Sequence, residues 1–280
     1  MTQAAAQSSA SATADVIVVG AGPAGSSAAF HMATLGLDVI LLEKQELGRD
    51  KVCGDGLTPS AVRELVSMGV DTSGWQRNRG LRVIGGGHLL HFPWPEQASF
   101  PSYGMARPRA LLDRDLAEHA AAAGARLLTG VTVTGPVTSP TGRVTGVEAR
   151  PTNRVAYPGI EGPTTFTAPL VVDAGGVSAR LATAVGRTKN ERRPMGVAVR
   201  AYFRSPRAKD AWMESRLELW DGKPGKSDLL PGYGWIWSVG EGLVNVGLGS
   251  VSSRASATAI DYRAVFNRWM DNVPASWGFT

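Results

Sequence analysis

The sequence predicts an α/β fold in which a parallel-sheet domain built from βαβ units is joined to a domain built on an antiparallel sheet. Three observations support this prediction. Residues 15–44 read as a strand, a glycine turn, a helix and a second strand, and residues 170–185 read as a second unit of strand, glycines and helix. Residues 196–249 are aromatic and aliphatic strands separated by proline and glycine turns. Alternating βα units followed by a block of strands indicate these two domains.

The first βαβ unit carries the pattern of a dinucleotide-binding site. Residues 16–19 are an apolar strand, and Gly20, Gly22 and Gly25 complete G-x-G-x-x-G at the start of a helix. Gly20 suits the tight turn, Gly22 allows the backbone to approach a pyrophosphate, and Gly25 allows close packing of helix on strand. We therefore expect a Rossmann-type domain that holds a pyrophosphate at the helix that begins near Pro23.

The second strand, residues 39–42, ends in an acid, Glu43. This carboxylate follows the loop by about 20 residues, the spacing at which it reaches a ribose 2′-hydroxyl. An acid here also argues against a 2′-phosphate on the ligand.

The remaining elements follow from hydrophobic periodicity and from glycine and proline punctuation. Gly85-Gly86 lies between two short strands, which predicts a hairpin, and alternate prolines after Phe92 predict a loop up to residue 101. We predict helices at 57–68, 109–123 and 178–185, and strands at 81–84, 87–92, 126–128, 131–133, 144–149, 170–172, 196–203, 216–220, 232–238 and 243–249.

Composition restricts the class of protein. The chain has 280 residues, no apolar run near the ~20 residues that a membrane span needs, and one cysteine, which suits a reducing cytoplasm. The four histidines show no ligand spacing with carboxylates, so we expect no metal site, and no G-x-S-x-G elbow suggests a serine hydrolase. We expect a cytoplasmic protein that is soluble or rests on a membrane surface.

The net charge of +5 is unevenly distributed. Residues 180–209 contain nine basic side chains and one acid, which gives this segment +8. No aromatic interleaving or binding motif accompanies the charge, so nucleic acid is not the expected partner. Two interpretations stay open: a solvated face, or an anchor for anionic lipid headgroups at the inner face of the cell membrane.

Two further strings point to a family. Residues 49–57 read RDKVCGDGL, and residues 231–237 read PGYGWIW and lead into NVGLG at 245–249. Together with the glycine loop, they resemble the geranylgeranyl reductase family, whose FAD-dependent enzymes reduce isolated double bonds of isoprenoid chains and are related to p-hydroxybenzoate hydroxylase-like flavoproteins. The first string matches the family's R-x-K-x-C-G motif, and the second its Y-x-W-x-F-P motif.

The resemblance implies a set of cofactor contacts and a domain division. Cys53 matches a cysteine close to the flavin ring and the substrate, although an isolated cysteine is more often a small buried hydrophobe. Arg109 matches an arginine near the FAD, and a surface charge at a helix start is the alternative. The implied FAD contacts are Gly20, Gly22, Pro23, Ala24, Gly25, Glu43, Lys44, Cys53, Gly54, Arg109, Val133, Asp173 and Gly175. We expect residues 1–14 to be a disordered tail, 15–80 and 102–186 an FAD-binding domain, and 81–101 and 187–280 a substrate-binding sheet domain.

Three aromatic side chains are the candidate substrate contacts. Tyr233, Trp235 and Trp237 alternate along a strand and so share one face. They could wall an apolar tunnel over the flavin or form plain core, and the resemblance favours substrate contact. Cys53 and Tyr233 are the candidate proton donors.

Three departures from the family pattern matter. Trp237 and Ser238 stand where the family usually has Phe and Pro, which brings the string closer to the W-x-W-x-I-P of flavin-dependent halogenases. In the turn at residues 173–176, related flavoproteins often have an acid at the position of Gly175. Here Asp173 is the only carboxylate of that turn. Nothing in the chain matches the family's G-D-A segment, so we expect the chain to be about the first two thirds of such an enzyme.

The resemblance implies FAD-dependent reduction of C=C bonds in a polyprenyl chain. The substrate would be geranylgeranyl diphosphate or lipid, or the side chain of menaquinone, and NAD(P)H or another reductant would supply electrons. An FAD-dependent aromatic monooxygenase or halogenase is one alternative. A truncated, non-catalytic flavoprotein fragment is another.

Overall fold

The computed structural model describes residues 11–152, 162–188, 190, 194–252 and 260–280. These residues divide into two compact units. The first comprises Met1–Arg49 and Ala110–Lys189, and the second comprises Asp50–Arg109 and Asn190–Thr280.

The elements are numbered in chain order. The helices are α1 Pro23–Thr34, α2 Pro59–Ser67, α3 Arg109–Ala122, α4 Arg180–Ala184 and α5 Tyr262–Met270, with short 3-10 helices at Gly176–Ser178 and Ala275–Trp277. The strands are β1 Ser11–Thr13, β2 Val16–Val19, β3 Val39–Leu42, β4 Gly56–Leu57, β5 Gln76–Asn78, β6 Gly80–Gly85, β7 His88–Pro93, β8 Gly104–Ala106, β9 Arg126–Leu128, β10 Val131–Thr138, β11 Val144–Pro151, β12 Thr164–Thr167, β13 Leu170–Asp173, β14 Met195–Arg204, β15 Trp212–Arg216, β16 Leu219–Trp220, β17 Leu229–Leu230, β18 Gly232–Gly240 and β19 Leu243–Ser252.

A parallel sheet in the order β13-β2-β3-β9 forms the centre of the first unit. Its strands are continuous apolar runs because both faces are covered. One face, which includes Val18 and Leu41, packs on alanines of α1 and α3. The opposite face, which includes Ile17 and Ile40, packs on a second sheet in the order β1-β12-β11-β10. This is the predicted Rossmann-type arrangement.

The start of the chain differs from the predicted disordered tail. β1 pairs in parallel with β12, with Ser11 opposite Thr165 and Thr13 opposite Thr167. The open edge of β12 offers backbone groups that an extended segment can pair with, which composition alone does not reveal. Residues 1–10 of the predicted tail lie outside the described residues.

A six-stranded sheet in the order β14-β19-β18-β15-β6-β7 dominates the second unit. β14, β19, β18 and β15 are antiparallel neighbours, whereas β15 and β6 pair in parallel. The sheet face that carries Ile236 and Val246 packs on Phe266 and Trp269 of α5 and on the fully buried Trp277. Asp261 caps α5 by accepting hydrogen bonds from the backbone of the first turn.

The compact units have different boundaries from the predicted domains. Residues 50–80 and 102–109, expected in the FAD-binding domain, belong to the second unit. The physical reason is that β4 and β5 both pair with β8, and that Gly54 and Gly56 lie against side chains of the six-stranded sheet. The assignment of one domain to cofactor and one to substrate stays a prediction.

No described helix is both long enough and apolar enough to cross a bilayer.

Candidate functional site

Two glycines of the G-x-G-x-x-G loop are required by the packing of the first unit itself. Gly20 has a φ of +103°, and a Cβ there would lie 2.7 Å from the backbone oxygen of Ala174. A Cβ on Gly25 would lie 1.8 Å from the backbone oxygen of Gly20. Any larger residue at Gly25 must therefore push α1 away from the end of β2.

Gly22 is different, because no contact among the described residues requires a glycine there. Its φ of −75° is ordinary, and a Cβ there would meet no described heavy atom within 4 Å. Gly22 is also the N-cap of the 12-residue helix α1, whose first turn receives no side-chain cap and begins with Pro23. The open space and the uncapped backbone N–H groups fit an anionic ligand such as a pyrophosphate.

Glu43 lies beside this loop, at the end of β3. Its Oε2 accepts a hydrogen bond from the backbone N–H of Ala21 at 3.0 Å, and its Oε1 accepts one from Gln45 at 3.0 Å. Each oxygen keeps a lone pair for a ligand hydroxyl. The next residue, Lys44, is exposed, and its carbonyl accepts a hydrogen bond from Thr152.

The second glycine turn meets the first. The backbone N–H of Ala174 donates a hydrogen bond to the Val19 carbonyl at 2.8 Å. The turns that follow the neighbouring strands β13 and β2 therefore lie side by side. The Asp173 carboxylate accepts hydrogen bonds from the backbone N–H groups of Gly175 at 3.0 Å and of Ala182 at 2.8 Å. Asp173 therefore fixes its own turn to α4.

Val133 is not part of this pair of turns. It is half-buried on β10 and packs against the core between the two sheets of the first unit.

In the second unit, the string around Cys53 lies against the aromatic strand β18. The Gly54 carbonyl accepts a hydrogen bond from Trp237 Nε1 at 2.6 Å. A Cβ on Gly54 would lie 2.9 Å from the Trp237 ring, so glycine allows this close approach. Cys53 is half-buried with a free thiol, and its carbonyl accepts a hydrogen bond from Asn245 Nδ2 at 3.0 Å. The two strings that the sequence singled out are thus in direct contact.

The three alternating aromatic residues form one row, as predicted. The ring centroids of Tyr233 and Trp235 are 5.8 Å apart, and those of Trp235 and Trp237 are 5.9 Å apart with nearly parallel planes. Tyr233 is 43% exposed, whereas Trp235 and Trp237 are buried. Tyr233 therefore offers most of the row's accessible surface, and the two tryptophans pack behind it.

Asp55 is a site residue that the sequence interpretation missed. It is 1% exposed and has a φ of +64°. Its Oδ2 accepts hydrogen bonds from Tyr202 Oη at 2.5 Å and Asn245 Nδ2 at 2.7 Å, and its Oδ1 accepts one from the backbone N–H of Arg109 at 3.0 Å. Burial raises the pKa of Asp55, and these hydrogen bonds together with the Arg200 charge offset that rise only in part.

Arg200 completes this buried polar cluster. Its side chain is 4% exposed, forms an ion pair with Asp50 and donates to the carbonyl of Lys51 at 3.0 Å. Its guanidinium lies 4.2 Å from the centre of the Tyr202 ring. Burial and the neighbouring Asp55 carboxylate raise the pKa of Tyr202, which keeps its hydroxyl protonated as a donor.

One signal in the sequence points to part of this cluster. Asn245 is a polar residue inside the apolar strand LVNVGLG, and β14–β19 pairing places it opposite Tyr202. A lone amide in a buried strand needs partners, which predicts further polar groups nearby.

Only part of the basic segment can be placed. Arg187 is exposed, whereas Lys189, Arg192 and Arg193 lie outside the described residues. Within the described ranges, no group of three or more His, Cys, Asp or Glu side chains is arranged to hold a metal ion.

Sequence comparisons identify the family of the chain. A family described as FAD binding domain matches residues 13–256. Menaquinone reductase of Mycolicibacterium smegmatis is 38% identical over 269 residues, which cover 95% of this chain and 62% of that protein. Digeranylgeranylglycerophospholipid reductase 1 of Methanosphaera stadtmanae is 30% identical over 256 residues, 89% of this chain and 57% of that protein. The chain thus spans about three fifths of the length of these curated relatives.

Solved structures confirm the expected fold. A geranylgeranyl bacteriochlorophyll reductase-like protein of Thermoplasma acidophilum has a TM-score of 0.76 and 23% identity, with 96% of this chain and 64% of that chain covered. A myxobacterial chondrochloren halogenase has a TM-score of 0.72 and 24% identity, with 93% and 58% covered. At these identities the likeness shows the fold alone, and the sequence relatives confirm the resemblance to geranylgeranyl reductases.

Proposed function

Because the chain belongs to the family with this FAD binding domain, we propose that the protein is an FAD-dependent reductase of C=C bonds in a polyprenyl chain. The side chain of menaquinone is the first substrate to test, and geranylgeranyl lipid or diphosphate the second. The single observation that carries this order is the 38% identity to a menaquinone reductase across 95% of the chain, against 30% for the archaeal lipid reductase.

The proposed FAD contacts centre on the glycine loop. The pyrophosphate would lie in the open space at Gly22, against the first turn of α1 at Pro23 and Ala24, and the ribose hydroxyls would meet Glu43. Gly20 and Gly25 shape the loop from within. The further proposed contacts are Lys44, Cys53, Gly54, Arg109, Val133, Asp173 and Gly175.

The chain's own contribution is binding, orientation and a proton. Reduced FAD, when bound, supplies a hydride equivalent, and NAD(P)H or another reductant would restore it. An isolated alkene accepts hydride poorly unless a proton reaches the second carbon, so a donor must lie within ~3 Å of that carbon, directly or through one water. The Cys53 thiol and the Tyr233 hydroxyl are the proposed donors. Tyr233, the exposed member of the aromatic row, supplies most of the apolar surface that excludes water from the chain of the substrate, and Trp235 and Trp237 pack behind it.

An anaerobic turnover assay tests this function. The natural protein, with its FAD reduced photochemically, is mixed with menaquinone in detergent micelles, and the quinone is analysed by mass spectrometry. We expect a product that has gained one H₂ in its side chain. Geranylgeranyl lipid and geranylgeranyl diphosphate are run beside it.

The two alternatives predict other outcomes. A monooxygenase or halogenase would leave all three polyprenyl substrates unchanged and would oxidise NAD(P)H rapidly only with oxygen and an aromatic substrate. A truncated, non-catalytic fragment would show neither reaction, no yellow colour on purification and no FAD uptake on titration. Either result would overturn the proposed reductase.

The cofactor site has its own test in Gly22→Val. The open space around Gly22 predicts that the variant folds normally, while the added side chain fills the proposed pyrophosphate site. Flavin content per protein, measured by absorbance, should fall at least about tenfold, the loss that ~1.4 kcal/mol of binding free energy represents. Gly135→Val is the matched control, since Gly135 also has an ordinary φ and no described heavy atom within 4 Å of its Cβ position. Normal flavin content in Gly22→Val would place the phosphates elsewhere.

We also propose peripheral contact with an anionic membrane, because a polyprenyl substrate resides in a bilayer. The support is the surplus of basic residues at 180–209, in which the described Arg187 is exposed, whereas Arg200 of this segment is buried and paired with Asp50.

A further inference from the structure

We infer that Asn245 is a positioning residue for the proposed reaction: its side-chain amide ties the Cys53 backbone to the Trp235 ring and to the Asp55 carboxylate. The inference rests on the proposed function only in naming Cys53 as the proton donor. It adds a residue to which neither the glycine loop nor the two strings assign a role.

Asn245 is the meeting point of the polar cluster in the second unit. It is fully buried in β19, between Tyr202 of β14 on one side and Trp237 of β18 on the other. Its neighbours along the strand, Val244 and Val246, point to the apolar core on the opposite face of the sheet. Asn245 is therefore the one polar side chain on the face of β19 that lies against the Cys53 string.

Three hydrogen bonds fix the direction of the amide. Oδ1 accepts from Trp235 Nε1 at 2.8 Å, and Nδ2 donates to the Cys53 carbonyl at 3.0 Å and to Asp55 Oδ2 at 2.7 Å. Both N–H groups are used, and a flipped amide would put its NH₂ against the indole N–H. One orientation alone satisfies the site.

The hydrogen bonds of Asn245 constrain the backbone from Cys53 to Asp55. Asp55, two residues later, has a φ of +64°, a conformation that a non-glycine residue holds when its surroundings require it. Asn245 bonds to both the Cys53 carbonyl and the Asp55 side chain, so it holds the turn that carries the thiol. A misplacement of about 1 Å of a reacting group costs about 10²-fold in rate.

Trp235 is held by the same contact. A Cβ on Gly247 would lie 2.3 Å from the Trp235 ring, so glycine allows the ring to lie close against β19, and the Trp235 N–H donates to Asn245. The amide thus couples the proposed donor to the aromatic row.

The test compares Asn245→Leu with Asn78→Leu. Asn78 is a matched control: it is buried in the same unit and its Oδ1 accepts a hydrogen bond from Trp94 Nε1 at 2.7 Å. Asn245→Leu removes three hydrogen bonds, whereas Asn78→Leu removes the one from Trp94 and an Nδ2 group that has no partner among the described residues. The urea midpoint of each variant therefore measures its own loss of stability. We expect Asn245→Leu to lower kcat by about 10²-fold with KM changed less than about threefold, and Asn78→Leu to leave kcat within about threefold.

A second readout does not depend on activity. Cys53 is the one cysteine of the chain, so the rate of iodoacetamide alkylation reports its thiol alone. We expect this rate to change at least about fivefold in Asn245→Leu and to stay at the wild-type value in Asn78→Leu, whether or not the protein reduces a polyprenyl chain. If the protein does not reduce a polyprenyl chain, kcat cannot be compared, but the alkylation rate of Cys53 still tests the inference.

If Asn245→Leu does not fold, Trp235→Phe replaces it in the alkylation test, with Trp94→Phe as its control. Each removes one indole N–H that donates to an asparagine and leaves a smaller aromatic ring in place of the indole. A change in alkylation rate confined to Trp235→Phe supports the inference. Equal rates in both variants, or equal losses of kcat in Asn245→Leu and Asn78→Leu, would overturn it.

Discussion

At the scale of single residues, Asp55 shows how burial and hydrogen bonding oppose each other. Burial raises its pKa above the ordinary value of 3.8, despite hydrogen bonds from Tyr202, Asn245 and Arg109. A raised pKa means that the folded state binds the proton more tightly than the unfolded state does. The contribution of this group to stability is therefore greatest at low pH and falls as pH rises through the folded pKa.

Asp55→Asn tests this sign, because asparagine does not titrate. The free energy of unfolding of the wild type, minus that of the variant, should decrease as pH rises above about 4 and level off once Asp55 is ionised in the folded state. Urea denaturation at a series of pH values measures it. A difference that grows with pH would mean that the hydrogen bonds outweigh burial.

Cys53→Ser addresses the proposed proton donor. Serine keeps a small polar side chain but is a far weaker acid than a thiol, so kcat for alkene reduction should fall by about 10²- to 10⁴-fold. Flavin content should not change, since the glycine loop is intact. Cys53→Ala should behave in the same way. Wild-type turnover in either variant would reduce Cys53 to a packing residue.

Sequence reasoning found the residues whose role depends on local spacing. Glu43 lies beside the glycine loop, and Tyr233, Trp235 and Trp237 share a face, as the spacing predicted. It missed Asp55, Tyr202, Arg200 and Asn245. Their hydrogen bonds join β14 and β19 to a loop that lies 147 residues from Tyr202 and 190 residues from Asn245 in sequence. The strand register that brings them together cannot be read from one segment.

At the scale of elements, the contact between α1 and β2 depends on Gly25. In Gly25→Ala, the new Cβ would lie 1.8 Å from the Gly20 oxygen, so helix and turn must separate. We expect a loss of about 1–3 kcal/mol or more in the free energy of unfolding, measured with urea. Gly135→Ala, where the Cβ has open space, is the control and should change stability by less than about 1 kcal/mol. Equal stability of the two variants would contradict this packing.

Elements with strong punctuation were predicted well. The hairpin of β6 and β7 and the helix α3 occur within one or two residues of their expected positions, and α2 begins at Pro59, two residues later than expected, because Gly56–Leu57 pairs as a strand. The helix expected at 178–185 is a 3-10 turn followed by the short α4. α5 and Trp277 were not predicted, although they close the core of the second unit. Their apolar residues gain meaning only once the sheet that they cover is known.

At the scale of the whole molecule, the basic segment at residues 180–209 is the surface that we expect to contact an anionic membrane. Replacing Arg187, Lys189, Arg192 and Arg193 by Gln should weaken binding to anionic liposomes, because each basic residue near such a surface is worth about 1 kcal/mol. Wild-type binding should require anionic lipid and decrease as salt rises. Sedimentation with vesicles measures both.

The control replaces four exposed basic residues outside that segment, Arg143, Arg150, Lys223 and Lys226, by Gln, which gives the same change in net charge. Equal loss in the two variants, or equal sedimentation with neutral and anionic vesicles, would leave the segment as a solvated face.

The compact units differ from the domains expected from the sequence at residues 50–80. The domain division expected from the resemblance placed residues 50–80 in the FAD-binding domain. They belong to the second unit because their partners are Trp237, Met213 and β8. Long-range partners of this kind carry no local signal.

The division of the second unit between Asp50–Arg109 and Asn190–Thr280 has a consequence for exchange between related genes. A single crossover anywhere between residues 110 and 189 joins the Cys53 string of one parent to the aromatic row of the other. The child would inherit Gly54 and Trp237, or Cys53 and Asn245, from different lineages. To take the second unit whole from one parent and the first unit from the other, a gene needs crossovers at three places: between Arg49 and Asp50, between Arg109 and Ala110, and between Lys189 and Asn190. New specificities in this family are therefore expected to arise by stepwise co-variation of the two segments, and chimaeras should graft both together.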